Sequence, residues 1–180
     1  MEELSLHILD LVENGIEAGA KRVKVRIRES RQQDLLAIEI ADDGRGMSEA
    51  VLQRARDPFF TTRRTRRVGL GLPLFEQATR AAGGELKVES RPGAGTKVTG
   101  VFKRSHLDRQ PLGDLAGTLL SLVVGNPEVD FEFLYQTDDS ELSFDSREVR
   151  AELGGVPINS PEGIAAVRKS LARVRQYAAN

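Results

Sequence analysis

The spacing of apolar residues along the chain changes period several times, and each change marks an element. Leu4, Ile8, Leu11, Val12 and Ile16 recur at helical spacing and predict a first helix over 4–20, with Gly19 as its stop signal. Val23, Val25 and Ile27 then alternate with Lys24, Arg26 and Arg28, the pattern of a strand buried on one face. Residues 29–34 are polar and read as a turn, so the apolar run 35–41 should pair back antiparallel to the first strand. Ser48 is placed to cap a short helix over 49–56. From Asp57 to Val68 no period survives, and the stretch reads as a lid-like loop with Pro58, Phe59, Phe60 and four arginines. A helix should open at Gly69-Leu70-Gly71-Leu72, tolerate Pro73 in its first turn, and stop at Gly83-Gly84. Strands over 85–90 and 96–103 flank the turn Arg91-Pro92-Gly93-Ala94-Gly95.

This order of elements predicts an α+β fold, a two-layer α/β sandwich with helices on one face of an antiparallel-rich sheet. Residues 1–104 would form it, and 105–180 would be a small α+β C-terminal extension. In the extension, Pro111 opens an apolar helix closed by Gly125-Asn126-Pro127, and Val129, Phe131, Phe133 and Tyr135 share one face of a strand. A short strand over 142–144 follows, then a helix with Asp145 and Glu148 at capping-box spacing, then a last helix from Ser160-Pro161. The extension is too small to form a core alone, so it should dock on the sandwich or on a second copy in a homodimer.

Composition narrows the classes. The 180 residues carry a formal net charge of -1, with 39% hydrophobic and 29% charged residues, enough for a real core and against wholesale disorder. A near-neutral total gives no general pull toward nucleic acid or membrane. Cysteine is absent, which excludes disulfides and thiolate metal sites. No basic leader and no long apolar run is present, so a cytoplasmic protein is expected.

Candidate chemistry starts on the first helix. His7, Asp10, Asn14 and Glu17 form a polar stripe, each three or four residues from the next. A solvated face would account for such a stripe. Asn14, however, has weak helix propensity at mid-helix and offers an uncharged oxygen, and Asp10 points the same way one turn earlier. A carboxylate and an amide oxygen suit Mg²⁺, which takes few protein ligands and keeps water and phosphate for the rest. The run Asp42-x-Gly44-x-Gly46 leaves a strand end: its aspartate can accept from an exocyclic amino group, and its glycines let backbone approach a flat base. Gly69-x-Gly71 at a helix start favours anions. Taken singly, each of these runs fits an ordinary turn as well as a site.

Their order changes the reading. Asp10-x-x-x-Asn14, Asp42-x-Gly44-x-Gly46, Asp57-Pro58-Phe59-Phe60, Gly69-Leu70-Gly71-Leu72, Gly83-Gly84 and Gly95-Thr96, in this sequence, closely resemble the Bergerat ATP-binding fold of gyrase, HSP90-like, histidine-kinase and mismatch-repair ATPases. The stretch 11–20 looks like the mismatch-repair members, and Phe59-Phe60-Thr61-Thr62-Arg63 with 69–72 looks like bacterial histidine kinases. The resemblance implies ATP or ADP with Mg²⁺. It makes Asn14 the metal ligand and Asp42 the partner of the adenine amino group, with Ala18, Met47 and Thr96 lining the base pocket. It puts Gly69, Leu70, Gly71 and Leu72 in the box where the lid approaches the phosphates. Asp10 stands where hydrolytic members carry a glutamate that activates water, one methylene shorter here. Arg67 stands where kinases carry a glycine.

With only Met1 to Glu3 ahead of the first helix, a stand-alone domain without the kinase dimerisation segment is expected, acting on a partner protein or phosphoacceptor. Ser105-His106-Leu107-Asp108-Arg109-Gln110-Pro111-Leu112 looks like the kinase acceptor box with its acidic residue displaced by one. His106 is thus read either as a phosphoacceptor or as a linker histidine. A histidine-kinase-like ATPase or kinase is the first functional reading. A nucleotide sensor with little turnover, organised like the anti-sigma relatives, is the second, and a mismatch-repair-like DNA clamp the third.

Overall fold

The computed structural model describes residues 3–55 and 71–174. The lid stretch at 57–68, with its arginines, and the motif residues Gly69 and Leu70 lie outside the described residues. The fold is mixed α+β, as the spacing predicts. Helix α1 (Leu4–Glu17) leads into strands β1 (Arg22–Ser30) and β2 (Leu35–Asp42), helix α2 (Glu49–Ala55), helix α3 (Gly71–Ala81), and strands β3 (Glu85–Ser90) and β4 (Thr96–Lys103). Helix α4 (Leu115–Gly125), strands β5 (Asp130–Gln136) and β6 (Glu141–Asp145), and helices α5 (Ser146–Leu153) and α6 (Pro161–Ser170) follow.

The described strands make one six-stranded sheet in the order β3-β4-β2-β1-β5-β6. All neighbours are antiparallel except β1 and β5, which run parallel with Val23 opposite Phe131 and Ile27 opposite Tyr135. The C-terminal segment therefore extends the same sheet, and its side chains join the same core as those of α1 and β1.

The alternation seen in the sequence sorts the two faces. Val23, Val25, Ile27, Leu36, Ile38, Ile40, Phe131 and Phe133 are buried on the inner face under the helices. Each such side chain contributes about 1.5–3 kcal/mol of burial. The outer face carries crossed ion pairs, such as Lys97 with Glu39 at 2.8 Å and Lys24 with Glu132 at 3.0 Å. Helix α1 covers β1 and β2, α3 covers β3 and β4, and α4 lies between α1 and α6.

Helix α1 ends at Glu17, three residues short of the expected 4–20, and two further differences from the sequence reading bear on the packing. The β1–β2 hairpin is longer than expected: Ser30 pairs with Leu35, and Asp34 takes the tight turn at φ 50°. Asp138, from the β5–β6 turn, accepts from Ser30 Oγ and from the Arg31 and Gln32 amides, holding the hairpin end. Helix α4 starts at Leu115, with Asp114 capping the Gly117 amide at 2.9 Å, rather than at Pro111. The carbonyls of Pro111 and Leu112 are otherwise engaged. They accept from the Leu4 and Ser5 amides at 2.9 Å each, and so satisfy first-turn donors of α1, whose Glu3 side chain makes no capping bond.

Candidate functional site

Two clusters sit on the C-terminal half of α1, and the helix touches both. The first is at the ends of three strands. Asp42, Thr96 and Ser90 face one another in register across β2, β4 and β3, on the inner face. Asp42 Oδ1 accepts from the Gly44 amide at 2.8 Å, which folds the loop back over the carboxyl. Helix α1 approaches so closely that a Cβ on Gly15 would sit 2.9 Å from Asp42 Cβ and 3.0 Å from its Oδ2. Ala18 closes another side: its Cβ lies 3.0 Å from where a Gly44 Cβ would be, and its carbonyl accepts from the Arg45 amide at 2.9 Å. Gly46 and Gly95 take φ of 65° and 77°, and a Cβ on either would strike the carbonyl of Arg91 or of Asp42. The motif glycines thus hold the loop, α1 and the β3–β4 turn against a single carboxylate.

Burial pushes the Asp42 carboxyl above the usual aspartate range; amide donors from Gly44 and Thr96 oppose the rise, and Asp43 adds to it. The neighbouring aspartate is used differently. Asp43 Oδ1 accepts from the Lys21 and Arg22 amides at 2.7 and 2.9 Å and ties the loop to the start of β1. Met47 donates its amide to Ser90 Oγ at 2.8 Å.

The second cluster lies one turn away along α1. A Cβ on Gly71, the first residue of α3, would lie 3.2 Å from Asn14 Nδ2, 3.4 Å from Asp10 Cβ and 3.9 Å from Asp10 Oδ2. The start of α3 therefore rests on the same two side chains that the sequence singles out. Asp10 and Asn14 supply oxygen donors of the hard type that Mg²⁺ takes, four residues apart on one helix face. No cluster of three or more His, Cys, Asp or Glu that would cage a metal is found among the described residues. A Mg²⁺ ion here would need water and phosphate oxygens as well, so the donor set fits that ion and not a purely protein-bound one.

The structure brings together Asp10, Asn14 and Gly71 in one cluster, and Ala18, Asp42, Gly44, Gly46, Met47 and Thr96 in the other. The Leu72 side chain is buried in the core. His106 is not brought to either cluster. It sits against Gly83, with Cδ2 3.4 Å from that residue's Cβ position, beyond the far end of α3. That helix has 11 residues, roughly 15 Å at about 1.5 Å per residue. His7 leaves the polar stripe altogether. It is 1% exposed, its Nε2 lies 3.0 Å from Gln110 Oε1, and its ring packs 5.5 Å from that of Phe75.

Sequence reasoning missed three participants: Gly15, Asp43 and Ser90. Gly15 lies inside a helical stretch, where a glycine costs about 1 kcal/mol against alanine, and that cost was the available signal for a close approach. Ser90 and Asp43 gave none, because their roles rest on contacts across strands.

Comparison with known proteins speaks to the family and the fold. Residues 2–106 match the model of the family described as histidine kinase-, DNA gyrase B-, and HSP90-like ATPase. The chain is 40% identical over 92 residues to the sensor protein kinase FleS of Pseudomonas aeruginosa, covering 51% of this chain and 23% of that one. It is 35% identical over 99 residues to the signal transduction histidine-protein kinase AtoS of Escherichia coli, covering 54% and 16%. The matches thus span less than a quarter of those relatives' length. Among solved structures, the N-terminal domain of a DNA repair protein superposes with TM-score 0.54 at 15% identity, covering 80% of this chain and 53% of that one. The MutL ATPase domain of Aquifex aeolicus complexed with ADP does so with TM-score 0.50 at 17% identity, covering 76% and 61%. At such identities these two speak for the fold alone.

Proposed function

The chain belongs to the histidine kinase-, DNA gyrase B-, and HSP90-like ATPase family, and from that premise we propose that it binds Mg-ATP and works as a histidine-kinase-like ATPase or kinase domain that regulates a partner protein. One observation supports this most: a single stretch of α1 meets the half-buried Asp42 carboxylate at Gly15 and the start of α3 at Asp10 and Asn14. A nucleotide lying along that stretch would have its base at Asp42 and its phosphates at Asn14.

In this reading Asp42 accepts from the adenine amino group, with Ala18, Gly44, Gly46, Met47 and Thr96 around the base. The box Gly69, Leu70, Gly71 and Leu72 would meet the phosphates through its backbone. Asn14, with Asp10 beside it, would hold Mg²⁺, whose charge would stabilise the transferred phosphoryl group. Asp10 would orient or deprotonate the attacking group. Its side chain is shorter than the glutamate of hydrolytic relatives, which favours slow turnover.

Calorimetry with ATP or ADP and magnesium tests the binding step, and absence of uptake ends the proposal. A single-turnover assay then separates enzyme from sensor. Asp10→Asn should lower the rate about 10²–10⁴-fold while sparing binding, the usual span for loss of a general base. If wild-type turnover is already absent, the chain is an ATP/ADP-sensing module instead. Labelling with γ-labelled ATP decides the His106 acceptor reading, because acid-labile label must vanish in His106→Ala. Salt-dependent DNA binding would favour the mismatch-repair-like reading.

A further inference from the structure

The Ser90 hydroxyl meets polar atoms of three residues at the Asp42 end, and it can satisfy all of them in only one way. Its Oγ lies 2.8 Å from the Met47 amide nitrogen, 2.9 Å from the Gly95 carbonyl oxygen and 2.9 Å from Thr96 Oγ1. A serine hydroxyl has one proton and two acceptor lone pairs. The Met47 amide can only donate, so it takes one lone pair. The Gly95 carbonyl can only accept, so it takes the proton. The contact with Thr96 is then a hydrogen bond only if Thr96 donates into the second lone pair. Ser90 is saturated, and the Thr96 proton is held toward β3.

What remains on this row is acceptor capacity. Thr96 keeps lone pairs and no proton to offer. Its neighbour in register, Asp42, has no proton as a carboxylate, and its Oδ1 already accepts from Gly44. We propose that Ser90 is a positioning residue that fixes the direction of the Thr96 proton and so makes this end of the sheet an acceptor-only surface, selective for a 6-amino purine over a 6-oxo purine. A 6-amino group has two N–H donors, one for Asp42 and one for Thr96, so the selection is made at the 6-substituent and not at N1. A 6-oxo group brings a further acceptor against both, and acceptors facing each other under a bound base are left unpaired. The inference rests on reading the Asp42 row as an adenine site.

The test is the ratio of ATP to ITP affinity, measured by calorimetry with magnesium on the full chain. Wild type should prefer ATP. In Ser90→Ala the Thr96 hydroxyl is free to turn its proton toward the base, and the ATP:ITP ratio should fall about tenfold, the worth of one hydrogen bond. Ser90→Thr keeps a hydroxyl and should restore the ratio. A merely structural role would weaken both nucleotides together and leave the ratio unchanged. That result overturns the inference while the adenine reading stands. If wild type takes up neither nucleotide, the adenine reading itself fails and takes this inference with it. Should Ser90→Ala not fold, Ser90→Cys supplies the same comparison, because a thiol keeps the volume and accepts only weakly.

Discussion

Asp42 and Glu29 are both carboxylates on the inner face of adjacent strands, near opposite ends of the sheet, and they behave oppositely. Glu29 is closed on itself. Its two oxygens accept from Arg104 Nε at 2.5 Å and Tyr135 Oη at 2.6 Å. Burial alone would raise its pKa, but those donors and the nearby Arg104 and Arg109 charges hold it below the usual glutamate range. Asp42 has amide donors only, and burial wins, so its pKa rises. A half-buried carboxylate with its donors supplied within the fold is a staple. One whose charge the fold leaves undercompensated suits the proposed role of Asp42, which needs a donor from a bound base.

The sharpest way to break this contrast is to neutralise each carboxylate. Asp42→Asn should lower ATP and ADP affinity by about 30- to 150-fold, the worth of roughly 2–3 kcal/mol in a hydrogen bond to a charged group. The fold should survive, since burial already disfavours the charge. Glu29→Gln should do the reverse: nucleotide affinity unchanged in calorimetry, but about 1–3 kcal/mol lost in urea unfolding. If Glu29→Gln weakens nucleotide and Asp42→Asn does not, the two roles are assigned backwards.

Gly15→Ala comes next. The added methyl would press on the Asp42 side chain at 2.9–3.0 Å, and overpacking of this kind costs about 1–3 kcal/mol. The loss should appear in nucleotide affinity more than in the melting temperature, because the displaced atoms belong to the candidate site. At the other end, Tyr135→Phe removes one donor to Glu29 and should cost about 1–2 kcal/mol of stability with affinity untouched. Equal effects of the two changes on affinity would dissolve the distinction between the ends.

The same comparison shows what the sequence could reveal. Period-2 and period-3.6 patterns placed α1, β1, β2, β4 and β5 to within a few residues, because each buries one face and a slip would expose it. The motif glycines were legible because they stand where side chains do not fit. Partner choice was not legible. Asp42 and Asp43 are the same residue type side by side, and only the approach of α1 on one and of the β1 amides on the other separates them. The start of α4 was misread for a related reason: Pro111 and Leu112 spend their carbonyls on α1, a contact more than a hundred residues distant in the chain. His7 matched a polar stripe by spacing, yet α3 and the 110–112 segment close over it.

That burial of His7 supports the smallest of the expected effects, and the one most specific to the junction between α1 and the C-terminal segment. Its Nε2 reaches Gln110, while its Nδ1 is buried with no hydrogen-bond partner among the described residues. Burial lowers its pKa first of all. The Gln110 contact and the Asp10 charge oppose that, and the chain's amino terminus adds to the lowering. In the unfolded chain the ring protonates near the ordinary histidine value of about 6.5, whereas in the fold it stays neutral to lower pH. Between those two points the unfolded state binds more protons, so stability rises with pH. Lowering the pH from about 7.5 to about 5.5 should therefore cost stability in wild type, and His7→Gln should remove that part of the loss. Glu29 does not interfere, because its lowered pKa keeps its contribution intact above about pH 4.3 and gives it up only in more acid solution. Identical urea midpoints shifts for wild type and His7→Gln across that window would mean that the ring is free to protonate in the fold. The clamp of residues 110–112 on α1 would then be looser than its hydrogen bonds indicate.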